Sequence, residues 1–151
     1  MTRFPKIYQF LIMYLGVAHS AMADQKADAL LRQQREQVIV RYVLDLQQAN
    51  YQDISQLFVK DGIVVSTSRG EVKAQPFFYS FLSNVTLAKT ELHQVFSSYL
   101  ENHRYAARFH FSFKLKDGET GNGEYMDEFV FKDASIKLAT VYMFENLKFG
   151  N

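Results

Sequence analysis

Between Arg104 and Phe149 the sequence alternates apolar and polar residues in three long runs, 105–116, 121–132 and 136–146, separated by turn residues. A period of two puts successive side chains on opposite faces of a β-strand, so each run reads as a strand. Three such strands in a row make an antiparallel sheet with an apolar face to bury. Such a sheet needs a second layer laid across it. The rest of the chain must therefore supply helices with an apolar stripe.

It does. The polar stretch 24–37, with Leu30 and Leu31, starts a helix that becomes amphipathic further on. There Val38, Tyr42 and Leu46 fall four apart, with Ile39 and Val43 beside them. The run Asn50-Tyr51-Gln52-Asp53 breaks that pattern. Asp53 with Gln56 three later resembles a capping box, opening a short second helix with Ile54, Leu57 and Phe58. Gly62 marks a change of period. Ile63-Val64-Val65 is β-branched and reads as a strand to Ser68, with a turn at Ser68-Arg69-Gly70 and a short return strand at 71–73. Pro76 fits the first turn of a third helix whose face is Phe77, Phe78, Phe81 and Leu82, and Asn84 stops it. From Leu87 onward the chain is strand. A tight turn is expected at 101–104, a glycine-rich connection at 117–123, and a last turn at Asp133-Ala134-Ser135.

Turn positions set a register. Pairing Glu101 with Arg104 puts Phe109, Phe111 and Phe113 opposite Phe96, Gln94 and Leu92. Pairing Lys132 with Ser135 puts Asp127 opposite Thr140, and Tyr125 opposite Tyr142. The face with the three phenylalanines is the inner one, and Phe129, Phe131, Leu138 and Phe144 join it. By parity so do Asp127, Tyr125 and Tyr142. The other face carries Val130, Val141, Met143 and Ala139 beside Arg108, His110 and Lys137. A sheet face of that mixture often meets a second sheet; the alternative is a monomer with a partly apolar surface.

Composition narrows the function. Charged residues are 22% of the chain and net charge is only +1, with no run of like charge, so no field exists to grip a phosphate backbone. Nucleic acid is not an expected partner. Arg3 and Lys6 precede a mostly apolar run, 7–18, and Ala21-Met22-Ala23 is a small-x-small pattern. Residues 1–23 therefore read as a secretory signal peptide cut after Ala23, leaving a domain at 24–151 that is periplasmic or secreted. The apolar run is short of the ~20 residues a transmembrane helix needs, so no stable span is expected after cleavage. An uncleaved anchor is the alternative. The chain has no cysteine, which excludes disulfides and a lipid-modified cysteine.

The order helix, helix, strand pair, helix, then antiparallel strands resembles the nuclear transport factor 2-like superfamily, a cone-shaped α+β fold. That superfamily includes ketosteroid isomerase, scytalone dehydratase and the SnoaL-like polyketide cyclases. The resemblance covers nearly all of residues 24–151. It rests on Arg41-Tyr42 in the first helix, Leu57-Phe58-Val59-Lys60-Asp61-Gly62 leading into the first strand, and Asp127-Glu128-Phe129-Val130-Phe131-Lys132-Asp133 near the end. It implies three helices packed on a curved sheet, with a pocket inside, and, because members of that superfamily commonly dimerise through the outer sheet face, a homodimer there.

The resemblance also implies site residues. Asp127 matches the strand that carries the protonated oxyanion-hole aspartate of ketosteroid isomerase. Tyr42 stands where that enzyme has its oxyanion-hole tyrosine. A carboxyl group among Phe111, Phe129 and tyrosines would resist ionisation, and a neutral acid donates a hydrogen bond. Tyr42 and Asp127 would then hold a ligand carbonyl with two donors. Alternatively, Asp127 bonds Thr140 or a core tyrosine, and Tyr42 is ordinary core.

Where the isomerase has its general-base aspartate, this chain has Ser66, whose hydroxyl is too weak a base to take a proton from carbon. Asp61 and Glu71 lie nearby in sequence, and Asp61 fits better as a cap of the helix-to-strand turn. Histidines 93, 103 and 110 show no metal-ligand spacing, no phosphate-binding glycine loop exists, and no cofactor is expected.

Three functions stay open. The first is an exported, non-catalytic binding domain for a small apolar ligand with a polar group, contacted by Tyr42, Asp127, Tyr125, Tyr142, Ser66 and Phe111. The second is an isomerase, dehydratase or cyclase using Tyr42 and Asp127 as donors. The third is a cell-envelope protein-interaction module.

Overall fold

The computed structural model describes residues 7–147, with side chains from 22 to 144. In chain order the elements are α1 (Ile7–Gln47), α2 (Tyr51–Gln56), β1 (Phe58–Ser66), β2 (Gly70–Lys73), α3 (Ala74–Leu82), β3 (Val85–Ser97), β4 (Arg104–Leu115), β5 (Thr120–Phe131) and β6 (Leu138–Leu147). The strands form one sheet in the order β2-β1-β6-β5-β4-β3. Every neighbouring pair is antiparallel except β1–β6, which is parallel. Residues 1–6, the charged start of the expected signal peptide, lie outside the described residues. From Ile7 the chain is helical and runs into the amphipathic part of α1 without a break. Among the described residues no helix is long and apolar enough to cross a membrane.

The expected stripe does bury α1 against the sheet: Ile39, Tyr42, Val43 and Leu46 are all in the core. Arg35 continues the stripe and is also buried. Its guanidinium donates to the carbonyls of Asn102 at 2.8 Å, Ser135 at 2.9 Å and Lys132 at 3.3 Å, and lies 5.2 Å from the ring centre of Phe131. One side chain thus ties α1 to the β3–β4 and β5–β6 loops. The helix ends in a left-handed residue, Ala49, while Asn50 N–H donates to Asp45 O and Ala49 N–H to Leu46 O. The cap of α2 is Asn50, which accepts from Asp53 N–H, rather than the expected Asp53.

Both expected registers shift. β3 and β4 are joined by residues 98–103 rather than a tight turn, so Phe109, Phe111 and Phe113 face Leu92, Thr90 and Ala88. A bulge between Leu92 and Gln94 then turns Phe96 outward opposite Ala106, where it is exposed. Between β5 and β6, Lys132 N–H bonds Lys137 O, and Asp127 pairs with Met143 instead of Thr140. That slip of three is odd, and an odd slip exchanges the faces of a strand. Val141, paired with Phe129, is fully buried, and Met143 packs on the core. Tyr142, paired with Glu128, lies on the outer face, contrary to its expected place inside, and Phe144 is exposed there. An irregularity between Val130 and Phe131 keeps Leu138 inside. The glycines expected in a loop after Asp117 are partly in β5: Gly121 pairs with Phe113, and a Cβ there would sit 2.2 Å from that ring.

Candidate functional site

Alternation along β4 sends Phe109, Phe111 and Phe113 to the inner face, and the register with β5 sets Tyr125 and Asp127 beside them. α3 brings Phe77 and Phe81 over the same region. The layers do not close completely, and they leave a cavity of ≈ 250 Å³. Leu46, Leu115 and Met143 complete its apolar wall, and Ser68, Arg69 and Glu119, all exposed, stand at its solvent side.

The aromatic rings brace one another. Phe81 meets Phe113 edge to face at 5.1 Å, Phe111 meets Tyr125 at 5.8 Å, and Phe109 stacks on Tyr125 at 5.9 Å. Such contacts add to plain area burial and hold the rings in place. Arg69, in the β1–β2 turn, sets its guanidinium 5.7 Å from the ring centre of Phe77.

Asp127 is the carboxyl group of the inner wall, and it is fully buried. The Tyr42 hydroxyl donates to its Oδ2 at 3.0 Å. Tyr42 is fully buried too, its ring packed edge to face on Phe129 at 5.0 Å and Phe78 at 5.8 Å. The structure thus brings Tyr42 and Asp127 together, but in series rather than side by side. Asp127 lines the cavity; Tyr42 stands behind it and is not among the lining residues.

The other expected site residues divide. Phe111 and Tyr125 line the cavity. Ser66 is buried on the inner side, paired with Met143, but its hydroxyl accepts from Arg69 N–H at 3.0 Å and lies 3.4 Å from the Ser68 hydroxyl. It braces the turn and does not line the cavity. Tyr142 is on the opposite face of the sheet. Asp61 is exposed in β1 and pairs with Lys73 at 3.5 Å, and neither it nor Glu71 reaches the cavity. Arg69 and Glu119 were missed by the sequence reading. They sit in turns, where no hydrophobic period reports which way a side chain points.

On the outer face Glu124 Oε1 lies 3.0 Å from His110 Nδ1 and 3.3 Å from His93 Nε2, and His110 Nε2 lies 2.7 Å from Asn122 Oδ1. Burial pushes the Glu124 carboxyl up, but hydrogen bonds and charge from the two histidines outweigh it and hold Glu124 below its ordinary value. Among the described residues no group of three or more His, Cys, Asp or Glu is arranged to hold a metal ion.

No protein-family model and no curated protein matches this chain in sequence. Solved structures do match in shape. SalBIII, an epoxide hydrolase/cyclase-like enzyme of pyran ring formation in the polyether salinomycin, has a TM-score of 0.63 at 11% identity, covering 74% of this chain and 90% of its own. PrhC from Penicillium brasilianum has a TM-score of 0.62 at 9% identity, covering 75% and 80%. A hypothetical protein with a ketosteroid isomerase-like fold from Catenulispora acidiphila, solved in complex with trimethylamine, has a TM-score of 0.61 at 8% identity, covering 73% and 85%. At such identities it is the fold that is shared, and it is the cone-shaped α+β fold expected from the order of elements.

Proposed function

Taking the nuclear transport factor 2-like cone as the frame, we propose that this protein is an exported binding domain for a small, largely apolar ligand with one polar group, and that it is not a catalyst. One observation carries the reading. A core packed with interlocking aromatic rings still holds a cavity of ≈ 250 Å³, and a buried carboxyl group, Asp127, faces it. An apolar pocket with one or a few placed polar groups is how small-molecule sites are built. The same fold accommodates trimethylamine in the Catenulispora protein, which supports a small ligand here.

Three features favour binding over isomerase-type chemistry. A two-donor grip on a carbonyl needs both donors at the ligand, whereas the Tyr42 hydroxyl is directed at Asp127 from behind. Proton abstraction needs a base within reach, and Ser66 braces a turn while Asp61 and Glu71 lie outside the cavity. An open cavity also argues against a cone serving only as a solid scaffold for a protein partner.

Export rests on the expected signal peptide. Cleavage after Ala23 leaves the protein starting at Asp24, and N-terminal sequencing of protein recovered from the cell envelope or medium reads this directly. The binding function is tested by native mass spectrometry of protein purified from its own host. A retained small molecule at one per chain is the expected result. Ligand-free protein that also takes up nothing from a host extract would refute the proposal.

A further inference from the structure

The mouth of the cavity narrows the ligand, and this step rests on the binding reading above. We infer that the cavity takes a zwitterion of the α-amino-acid kind. Its apolar side chain lies inside among the aromatic rings, and its head group stays at the mouth, with the carboxylate on Arg69 and the ammonium on Glu119.

Two opposite charges stand at that mouth, and turns set them there. Arg69 lies in the β1–β2 turn, where its N–H donates to the Ser66 hydroxyl at 3.0 Å and the next residue, Gly70, has a left-handed φ of 66°. Its guanidinium rests 5.7 Å from the ring centre of Phe77, a residue of the cavity wall. Glu119 lies in the β4–β5 turn. Its N–H donates to Asp117 Oδ1 at 3.0 Å, and its carbonyl accepts from Leu115 N–H at 2.8 Å. Both side chains line the cavity at its solvent side and are exposed. Yet they are not paired with each other, nor with any other charged side chain among the described residues. A guanidinium offers five N–H donors and no acceptor, and a carboxylate offers acceptors alone. Each therefore has hydrogen-bonding capacity to give to a ligand.

The two signs together select the head group. An anion at the mouth is drawn by Arg69 and pushed away by Glu119, and a cation meets the reverse. A neutral group uses neither charge. A carboxylate and an ammonium carried on one carbon are drawn by both. A carboxylate also suits a guanidinium by shape, through two parallel N–H···O bonds. At the mouth the head group keeps part of its water, which spares it the cost of burial. The rest of the molecule must be apolar, because Phe77, Phe81, Phe109, Phe111, Phe113 and Leu115 line the cavity behind these charges. An apolar cavity of about 150 Å³ holds benzene. The ≈ 250 Å³ here therefore has room for a side chain of phenylalanine size.

The test compares four probes built on one phenylethyl skeleton: L-phenylalanine, 3-phenylpropionate, phenethylammonium and 2-phenylethanol. Each is titrated at low ionic strength into the full chain, as its expression host processes it, and followed by calorimetry and by NMR shifts of the aromatic side chains. Phenylalanine is expected to bind about three- to tenfold tighter than each of the other three. Arg69→Gln should erase its advantage over phenethylammonium, and Glu119→Gln its advantage over 3-phenylpropionate. Both are exposed turn positions, so the fold should be kept, and circular dichroism checks this. A merely structural role for either turn would weaken all four probes alike and leave their order unchanged, which overturns the inference. Equal or tighter binding of any of the other three probes to the native protein overturns it too. Rejection of all four probes overturns the zwitterion assignment. The binding reading then stands if native mass spectrometry finds another small molecule retained, and falls if nothing is retained.

Discussion

Arg35 does more for this fold than its setting in a polar stretch suggests. It is buried, and its guanidinium serves three carbonyls in two loops that are 30 or more residues apart in sequence. Replacing it by Met keeps most of the apolar stem but leaves those carbonyls without their donor. Arg35→Met is expected to cost about 2–4 kcal/mol in urea unfolding; a loss under about 0.5 kcal/mol would show the loops hold themselves. Glu124 gives a prediction in pH. Its folded carboxyl is held below the ordinary 4.5, so its contribution to stability is present above that value and is lost as pH falls through the depressed folded value. Thermal melts of the native protein should therefore drop on the acid side over that window, and Glu124→Gln should flatten that part of the profile. An unchanged acid limb in the variant would place the titration elsewhere. Neither residue was legible beforehand: Arg35 falls four before Ile39 on the helical stripe, but in a polar stretch shared with Arg32 its charge reads as solvent-facing. The inward position of Asp127 was legible, because period-two alternation from Phe129 and Phe131 fixes its side.

At the scale of elements, helices and strands were readable and their registers were not. Apolar periodicity located α1, α3 and the long strands closely, since it reflects burial itself. Pairing depends on loop length, and residues such as Glu101-Asn102-His103-Arg104 or Asp133-Ala134-Ser135 are compatible with several. The β5–β6 slip of three residues is why Tyr142 was placed inside and Val141 outside, the reverse of what is found. The same turn carries a backbone cost. Ala134 has φ of 47°, a left-handed conformation that L side chains resist, and its side chain is exposed, so no packing compensates. Ala134→Gly removes the steric cost and gives some back in unfolded-chain entropy, for an expected net gain of about 0.5–1 kcal/mol. Chemical denaturation at equal slope would measure it. A loss instead would mean that the turn relaxes to negative φ in solution.

For the whole molecule, the sheet is covered on one face only by the helices described here. Its other face presents Ile63 and Val65 from β1, Tyr142 and Phe144 from β6, Met126 and Val130 from β5, and Phe96 from β3, all half-buried or exposed. Arg104 and Glu128, paired at 2.7 Å, and the Glu124 histidine cluster lie on the same face. An apolar centre with polar groups around it is the composition of a protein interface, and a standard one removes about 800 Å² from each partner. We propose that a second copy of this chain covers it, in a two-fold arrangement in which the same face meets itself. Light scattering at micromolar concentration is then expected to give about twice the protomer mass. Tyr142→Asp is the discriminating variant. In a monomer an aspartate at this half-exposed position is nearly neutral, within about 0.5 kcal/mol, because water still solvates it. In a dimer through this face the same carboxylate must give up its water among apolar side chains, and burying an unpaired charge costs several kcal/mol. Tyr142→Asp should therefore halve the measured mass while leaving the circular dichroism of the protomer unchanged. Native protein that already scatters as a protomer refutes the dimer, and so does a variant that keeps the doubled mass.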